Sequence, residues 1–344
     1  MSSAIVQDIL VYQGRPMRRR EFITLIGGAS ALPLVARAQT SDKTRVVGVF
    51  MPGPEGDPEG QSYAAILRQG LEHHGWAIDR DLRVDFRWGV GSAERTQAAI
   101  SELLRLKPDV LMAGTSGTLT ALQRATRNVP IVFFMIYEPV AQGFVQSLAH
   151  PGGNATGFTG AEATVGTKWL ELLKQMAPHL ARVAFISNPD NPGPMQSYRS
   201  VEAAAPKQAV EAVNAPVRGA AEIEAVMDRL GGEPGGGLIV PPDGFLLQHS
   251  RLIIDLAARH RLPAIYGMRS YATDGGLACY GVKVGEQFRQ AADYIDRILR
   301  GAKPGDLPVQ QPTEYEFILN SKTARALDLG IPSNLLATAD EVIE

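Results

Sequence analysis

The chain has 344 residues, with 34 basic and 36 acidic side chains, a formal net charge of -2 and 45% hydrophobic residues. This is the make-up of a folded chain of about two domains, and it excludes a disordered one. The near-balance of charge gives no electrostatic reason for a nucleic-acid partner. A single cysteine, Cys279, excludes an intramolecular disulfide and a cysteine-rich zinc site, and the six histidines form no HExxH.

The first 38 residues read as an export signal. Met17-Arg18-Arg19-Arg20-Glu21-Phe22-Ile23 sets a basic cluster before an uncharged run over 22–36, and Ala36-Arg37-Ala38 offers a small-x-small cleavage site. The run has 15 residues, too short for a spanning helix, which needs about 20. Arg19-Arg20-x-Phe22-Ile23 matches the twin-arginine export pattern. Met17 is the expected start, with 1–16 an upstream extension. Cleavage after 38 removes five basic and two acidic groups and leaves 29 and 34, net -5. The expectation is an exported, mildly acidic, monomeric periplasmic protein.

Beyond Ser41 the chain alternates short apolar strands with helices. Strands are predicted over 45–51, 82–88, 109–113 and 130–136. Helices are predicted over 60–74 and 93–106, after the cap Gly114-Thr115-Ser116, and over 140–149. The rhythm then repeats. Helices are predicted over 168–176, 195–212, 221–230, 246–260 and 286–300, and strands over 182–187, 237–240, 263–266, 276–280 and 315–320. Alternation of this kind implies parallel sheets covered on both faces. Two such runs meeting near 154–160 imply an α/β protein of two doubly wound lobes joined by a hinge. The expected N-terminal lobe is 42–158 plus about 282–312, and the C-terminal lobe 159–281 plus about 313–344.

Open parallel sheets bind ligands beyond the carboxyl ends of their strands, so the residues there are the candidates. Thr115 and Ser116 follow the strand ending at Ala113 and form either an anion site or a helix N-cap. Glu138 opens the stretch after Ile136, where it either favours a ligand amine or caps a helix. Asn188 follows Ser187. Asp243, after Pro241-Pro242, is placed either to receive an ammonium group or to cap the next helix. Tyr266 and Tyr280 stand at strand ends, for ligand stacking or for hinge packing. No GxGxxG, GxxxxGK[ST] or GxSxG spacing occurs. No acid–base pair has a forced geometry, so the chain reads as a binder without cofactor or metal, not an enzyme.

Five segments stand out together: the leader Arg18-Arg19-Arg20-Glu21-Phe22-Ile23-Thr24-Leu25-Ile26-Gly27-Gly28; Pro151-Gly152-Gly153-Asn154-Ala155-Thr156-Gly157; Leu262-Pro263-Ala264-Ile265-Tyr266-Gly267; Gly275-Gly276-Leu277 leading into Tyr280-Gly281; and the tail Ile331-Pro332-Ser333-Asn334-Leu335-Leu336-Ala337. In their order, over 17–344, they resemble the ABC-transporter substrate-binding family that includes tryptophan/tyrosine-type binding proteins. The resemblance implies a type I-like periplasmic binding fold. It also implies capture of a small polar solute, an amino acid or related carboxylate, for a membrane permease. It maps ligand positions onto Thr115 and Ser116 for the carboxylate and Asp243 for the amine, with Glu138, Asn188 and Tyr266 around the cleft. The family commonly has aspartate at the position of Glu138. A ligand sensor feeding a membrane receptor is the alternative on the same fold, and a doubly wound enzyme the more distant one.

Overall fold

The computed structural model describes residues 44–89 and 93–344. The expected export signal lies outside the described residues. The first sheet is built from β1 (Arg45–Phe50), β2 (Leu82–Arg87), β3 (Val110–Ala113), β4 (Ile131–Ile136) and β5 (Ala155–Thr159), all parallel in the order β2-β1-β3-β4-β5. Its helices are α1 (Pro58–His73), α2 (Ala93–Arg105) and α3 (Ser116–Ala125).

The chain then enters a second sheet through α4 (Val165–Met176), β6 (Arg182–Ser187), α5 (Met195–Ala204), β7 (Glu211–Pro216) and α6 (Ala220–Gly231). It continues through β8 (Gly236–Val240), α7 (Gly244–Gln248), α8 (Ser250–Arg259), β9 (Ala264–Tyr266), α9 (Arg269–Thr273) and β10 (Ala278–Val282). α10 (Val284–Leu299) returns to the first sheet and packs on α1. β11 (Tyr315–Asn320), α11 (Ser321–Ala326), α12 (Ser333–Thr338) and β12 (Glu341–Ile343) finish the second sheet. Its order β7-β6-β8-β9-β10 repeats that of the first sheet. β11 joins antiparallel to β10, and β12 parallel to β11.

Both sheets carry an apolar core on each face, as parallel sheets require. In the first, Val47, Leu67, Val132 and Phe288 pack on one side, and Phe50, Leu103, Leu119 and Phe133 on the other. In the second, Trp169, Leu173, Phe185 and Ile239 form one layer, and Ile186, Met227, Leu238 and Ile253 the opposite one. The two doubly wound lobes expected from the alternation are present.

One predicted helix is absent, one is shorter and one is divided. Residues 140–149 make a turn rather than a helix. Gln142 and Phe144 N–H donate to Glu138 and Pro139 O, and Gly143 at φ +75° stops the winding after that turn. The helix predicted over 195–212 ends at Ala204. Pro206 has no N–H to continue the ladder, so a 3-10 turn over Ala205–Gln208 and Ala209 at φ +53° lead into the edge strand β7. The helix predicted over 246–260 is two helices meeting at His249, whose φ of -104° and ψ of 13° break the run. β5, β7, α9, α11, α12 and β12 are additional to the predicted elements.

The chain passes between the sheets over 160–164, at Lys283 and over 311–314. These crossings lie together. Thr159 N–H donates to Gln310 O at 2.8 Å, Lys283 N–H to Glu314 O at 3.1 Å, and Glu162 N–H to the Tyr315 hydroxyl at 3.3 Å. Tyr280 and Tyr315 stack with centroids 5.6 Å apart.

Candidate ligand-binding cleft

The cleft lies where the carboxyl ends of the two sheets face each other. From the first lobe come Met51 after β1, Trp88 after β2, Gly114, Thr115 and Ser116 after β3, and Met135 and Tyr137 at the end of β4. From the second come Asn191, Asp243 and Gly244, Met268, and Ser270 on α9. The space between these walls is open to solvent at its mouth.

Local sequence sets each wall. Asp57 caps α1 by accepting from Glu59 N–H at 3.2 Å and Gly60 N–H at 3.1 Å, with Pro58 at the first helical position. That start places Glu59 and Tyr63, one turn apart, along the cleft, and the Tyr63 hydroxyl donates to Glu59 Oε1. Burial, reinforced by Glu59, pushes the Tyr63 hydroxyl up, so it stays a donor. Thr115 caps α3: its Oγ1 accepts from Thr118 N–H at 3.1 Å and donates to Thr118 Oγ1 at 2.8 Å. Gly114 leaves room for the Phe134 ring, which a Cβ there would meet at 2.2 Å. Behind the wall, Phe288 of α10 lies edge-on to Phe134 at 4.7 Å and stacks on Tyr63 at 5.2 Å.

The end of β4 is bulged. Pairing with β5 slips between Phe133 and Ile136, and Met135 has φ +55°. Gln287 of α10, 3% exposed, holds this bulge. Its Oε1 accepts from Met135 N–H at 3.1 Å, and its Nε2 donates to Thr159 O at 2.8 Å. Gly157 sits opposite at φ +149°, where a Cβ would lie 2.0 Å from Phe133 O. Bulges re-aim side chains, and this one brings Met135 to the cleft.

Asp243 and the asparagines form one cluster. Asp243 Oδ1 accepts from Phe245 and Leu246 N–H, both at 2.9 Å, which caps α7. Its Oδ2 accepts from Asn191 Nδ2 at 2.7 Å and Asn188 Nδ2 at 3.2 Å. The carboxylate is 7% exposed and accepts from four groups of its own lobe.

Of the six residues singled out in the sequence, Thr115, Ser116 and Asp243 line the cleft, and Asn188 lines its outer mouth beside them. Glu138 and Tyr266 are not in the cleft wall. Glu138 is exposed on the turn after β4, with φ +45°; its neighbour Tyr137 lines the cleft instead. Tyr266 is 1% exposed and stacks on Tyr271 at 4.7 Å, inside the core of the second lobe. Sequence reasoning missed Asp57, Glu59, Trp88, Phe134 and Ser270. The Asp-Pro-Glu start of α1, following the first strand, was the available signal. Asp57, Glu59 and Asp243 are the charged side chains lining the chamber, and no Lys, Arg or His among the described residues joins them. No cluster of His, Cys, Asp or Glu suited to a metal occurs among the described residues.

The profile of the ABC transporter substrate binding protein family matches residues 57–343. The chain belongs to the ABC transporter substrate-binding protein family. A tyrosine-binding protein of Clostridioides difficile is 27% identical to this substrate-binding protein, over 76% of this chain and 75% of the relative. A conserved domain protein of Vibrio cholerae is 25% identical with a TM-score of 0.79, covering 87% of this chain and 100% of that one. An ABC domain from Streptococcus pneumonia in complex with L-Trp has the same TM-score at 21% identity, covering 88% and 100%. The fold is thus the type I-like periplasmic binding fold, and the family is one of solute-binding proteins. No helix among the described residues is long and apolar enough to cross a membrane.

Proposed function

We propose that this chain is the exported receptor of an ABC importer. It captures an amino acid with an apolar or aromatic side chain between its lobes and presents it to a membrane permease. The carrying observation is the cleft itself, walled by Met51, Trp88, Phe134, Met135 and Met268, with a few polar groups converging on it. Such a chamber buries an apolar body and orients it by its polar head. The tyrosine and L-Trp named for two relatives are solutes of this chemistry.

The ligand carboxylate fits the N-terminus of α3, whose first-turn N–H groups carry partial positive charge beside Thr115 and Ser116. Asp243 and Asn188 shape the opposing wall, with Asp243 holding α7 and the asparagines in place. The three crossings serve as the hinge, and closure is driven by contacts that form only when both lobes touch the solute. The basic, apolar and small-x-small pattern over 17–38 supports export to the periplasm by the twin-arginine route.

A thermal-shift screen of the purified protein against amino acids, simple carboxylates, purines and sugars tests this reading. A ligand at a hundredfold excess over Kd stabilises by about 2.7 kcal/mol. Stabilisation by amino acids with large apolar side chains is expected. Stabilisation by sugars or purines alone would contradict the reading.

A further inference from the structure

Glu59 and Ser270 reach the same chamber from opposite lobes, and the Ser270 hydroxyl has no partner within the protein. Glu59 is half-buried, and its Oε1 accepts the Tyr63 hydroxyl. Ser270, on α9, is 8% exposed, and its hydroxyl is sealed from solvent without a hydrogen-bond partner. Both residues line the chamber and also the cavity behind it, so they stand where the two spaces adjoin. An unpaired buried hydroxyl is unfavourable, so a ligand group that donates to it is favoured.

The charges around Glu59 leave it without a counter-ion. On its own helix it faces the Asp57 carboxylate and the Tyr63 hydroxyl. From α9, Arg269 is already engaged by Glu316 at 2.9 Å and by Glu341, and Asp274 adds a further acid. At the start of α10, Lys283 pairs with Glu314 at 3.7 Å and Arg289 with Glu286. Asp243 faces the chamber from the other lobe, and the buried Cys279 thiol adds no cation. Burial, then Asp57 and Glu316, raise the Glu59 carboxyl above its usual range, against the Tyr63 hydrogen bond and Arg269.

We propose that the ammonium group of the ligand is bound between the Glu59 carboxylate and Ser270. The inference rests on the reading of this chain as an amino-acid receptor and adds the partner of the amine, which Asp243 is too fully engaged to be. The step balances simply. The ligand keeps its own ammonium protons and donates them to the carboxylate and to Ser270 Oγ; where the carboxyl is protonated, its O–H bond breaks first and the proton passes to water or buffer. Ligand binding therefore favours ionised Glu59. Affinity falls as the pH drops through the raised carboxyl pKa, above 4.5. The amino acid stays zwitterionic over that window, and no histidine lines the chamber to titrate in its place.

The test is isothermal titration with L-tyrosine and L-tryptophan and with their des-amino acids, from about pH 7 down to about pH 5, in buffers of different ionisation enthalpy. For the wild-type protein we expect affinity to fall with pH, heat near pH 5 to depend on the buffer, and the des-amino acids to bind much more weakly. Glu59→Gln is expected to lose about 10–100-fold in affinity at neutral pH and to lose the pH dependence. Ser270→Ala is expected to lose about 3–10-fold and to keep it. Wild-type affinity or an unchanged pH profile in a folded Glu59→Gln protein would overturn the assignment. If that variant does not fold, Ser270→Ala with unchanged affinity would overturn it as well. Des-amino acids binding as tightly as the amino acids would sink this inference alone. Binding of neither amino acid by the wild type would overturn the receptor reading and this inference with it.

Discussion

Asp243 shows how a residue at a strand's carboxyl end can serve the wall of a site rather than its contents. In the sequence it stood equally for an ammonium partner and for a helix cap, and the geometry gives the cap, completed by Asn188 and Asn191. Asp243→Ala removes acceptors from two amide N–H groups and two asparagines, and should cost about 1–2 kcal/mol of stability. Urea denaturation at neutral pH measures this, and a variant as stable as the parent would contradict it. Glu59 leads to the opposite expectation. Its folded-state pKa is raised, so its favourable contribution to folding is present below 4.5 and is lost as pH rises through the raised value. Glu59→Gln should therefore make the ligand-free protein more resistant to urea at neutral pH, with the gap closing in acid. A constant gap would contradict this. Thr115 and Ser116 were legible because a strand end, a glycine and a hydroxyl coincide. Glu59 was not, because apolar periodicity starts the helix at Gly60 and hides the Asp57-Pro58 cap that precedes it.

At the scale of elements, legibility followed burial. β1, β3, β4 and β8 are continuous apolar runs hidden on both faces, and their sequences say so. β7 is an edge strand with alternating exposure and a terminal proline, and its alanines merge with the helix before it. β5 is short and holds two threonines and Gly157, a composition close to that of a loop. The stretch after β4 has apolar residues at helical spacing, yet Phe144 and Val145 bury themselves from a turn. The β4 bulge was also invisible, since its support comes from Gln287, 152 residues away. Gln287→Leu leaves Met135 N–H and Thr159 O unpaired in a buried place. The expected loss is about 2–4 kcal/mol, read by equilibrium unfolding. A loss below about 1 kcal/mol would mean that the bulge holds itself.

For the whole molecule, strand–helix alternation was enough to give two doubly wound lobes, because parallel sheets need helices on both faces wherever they occur. How the lobes meet was not legible, since it depends on contacts between distant loops. Two of these contacts are glycines. A Cβ on Gly193 would come within 2.8 Å of Tyr137 Cβ, and one on Gly244 within 3.2 Å of Thr115 Cγ2. Gly193→Val should hold the lobes apart without touching either core. By small-angle scattering, its radius of gyration with saturating amino acid should match the ligand-free value, and compaction equal to that of the parent would contradict the closure mechanism. Calorimetric titration of the purified parent protein with L-tryptophan and L-tyrosine at neutral pH asks whether the chamber receives an amino acid by its apolar side chain. Saturable binding of one molecule per chain to at least one of them is expected. No heat of binding with either, at concentrations up to about 1 mM, where Kd corresponds to only -4.1 kcal/mol, would contradict it.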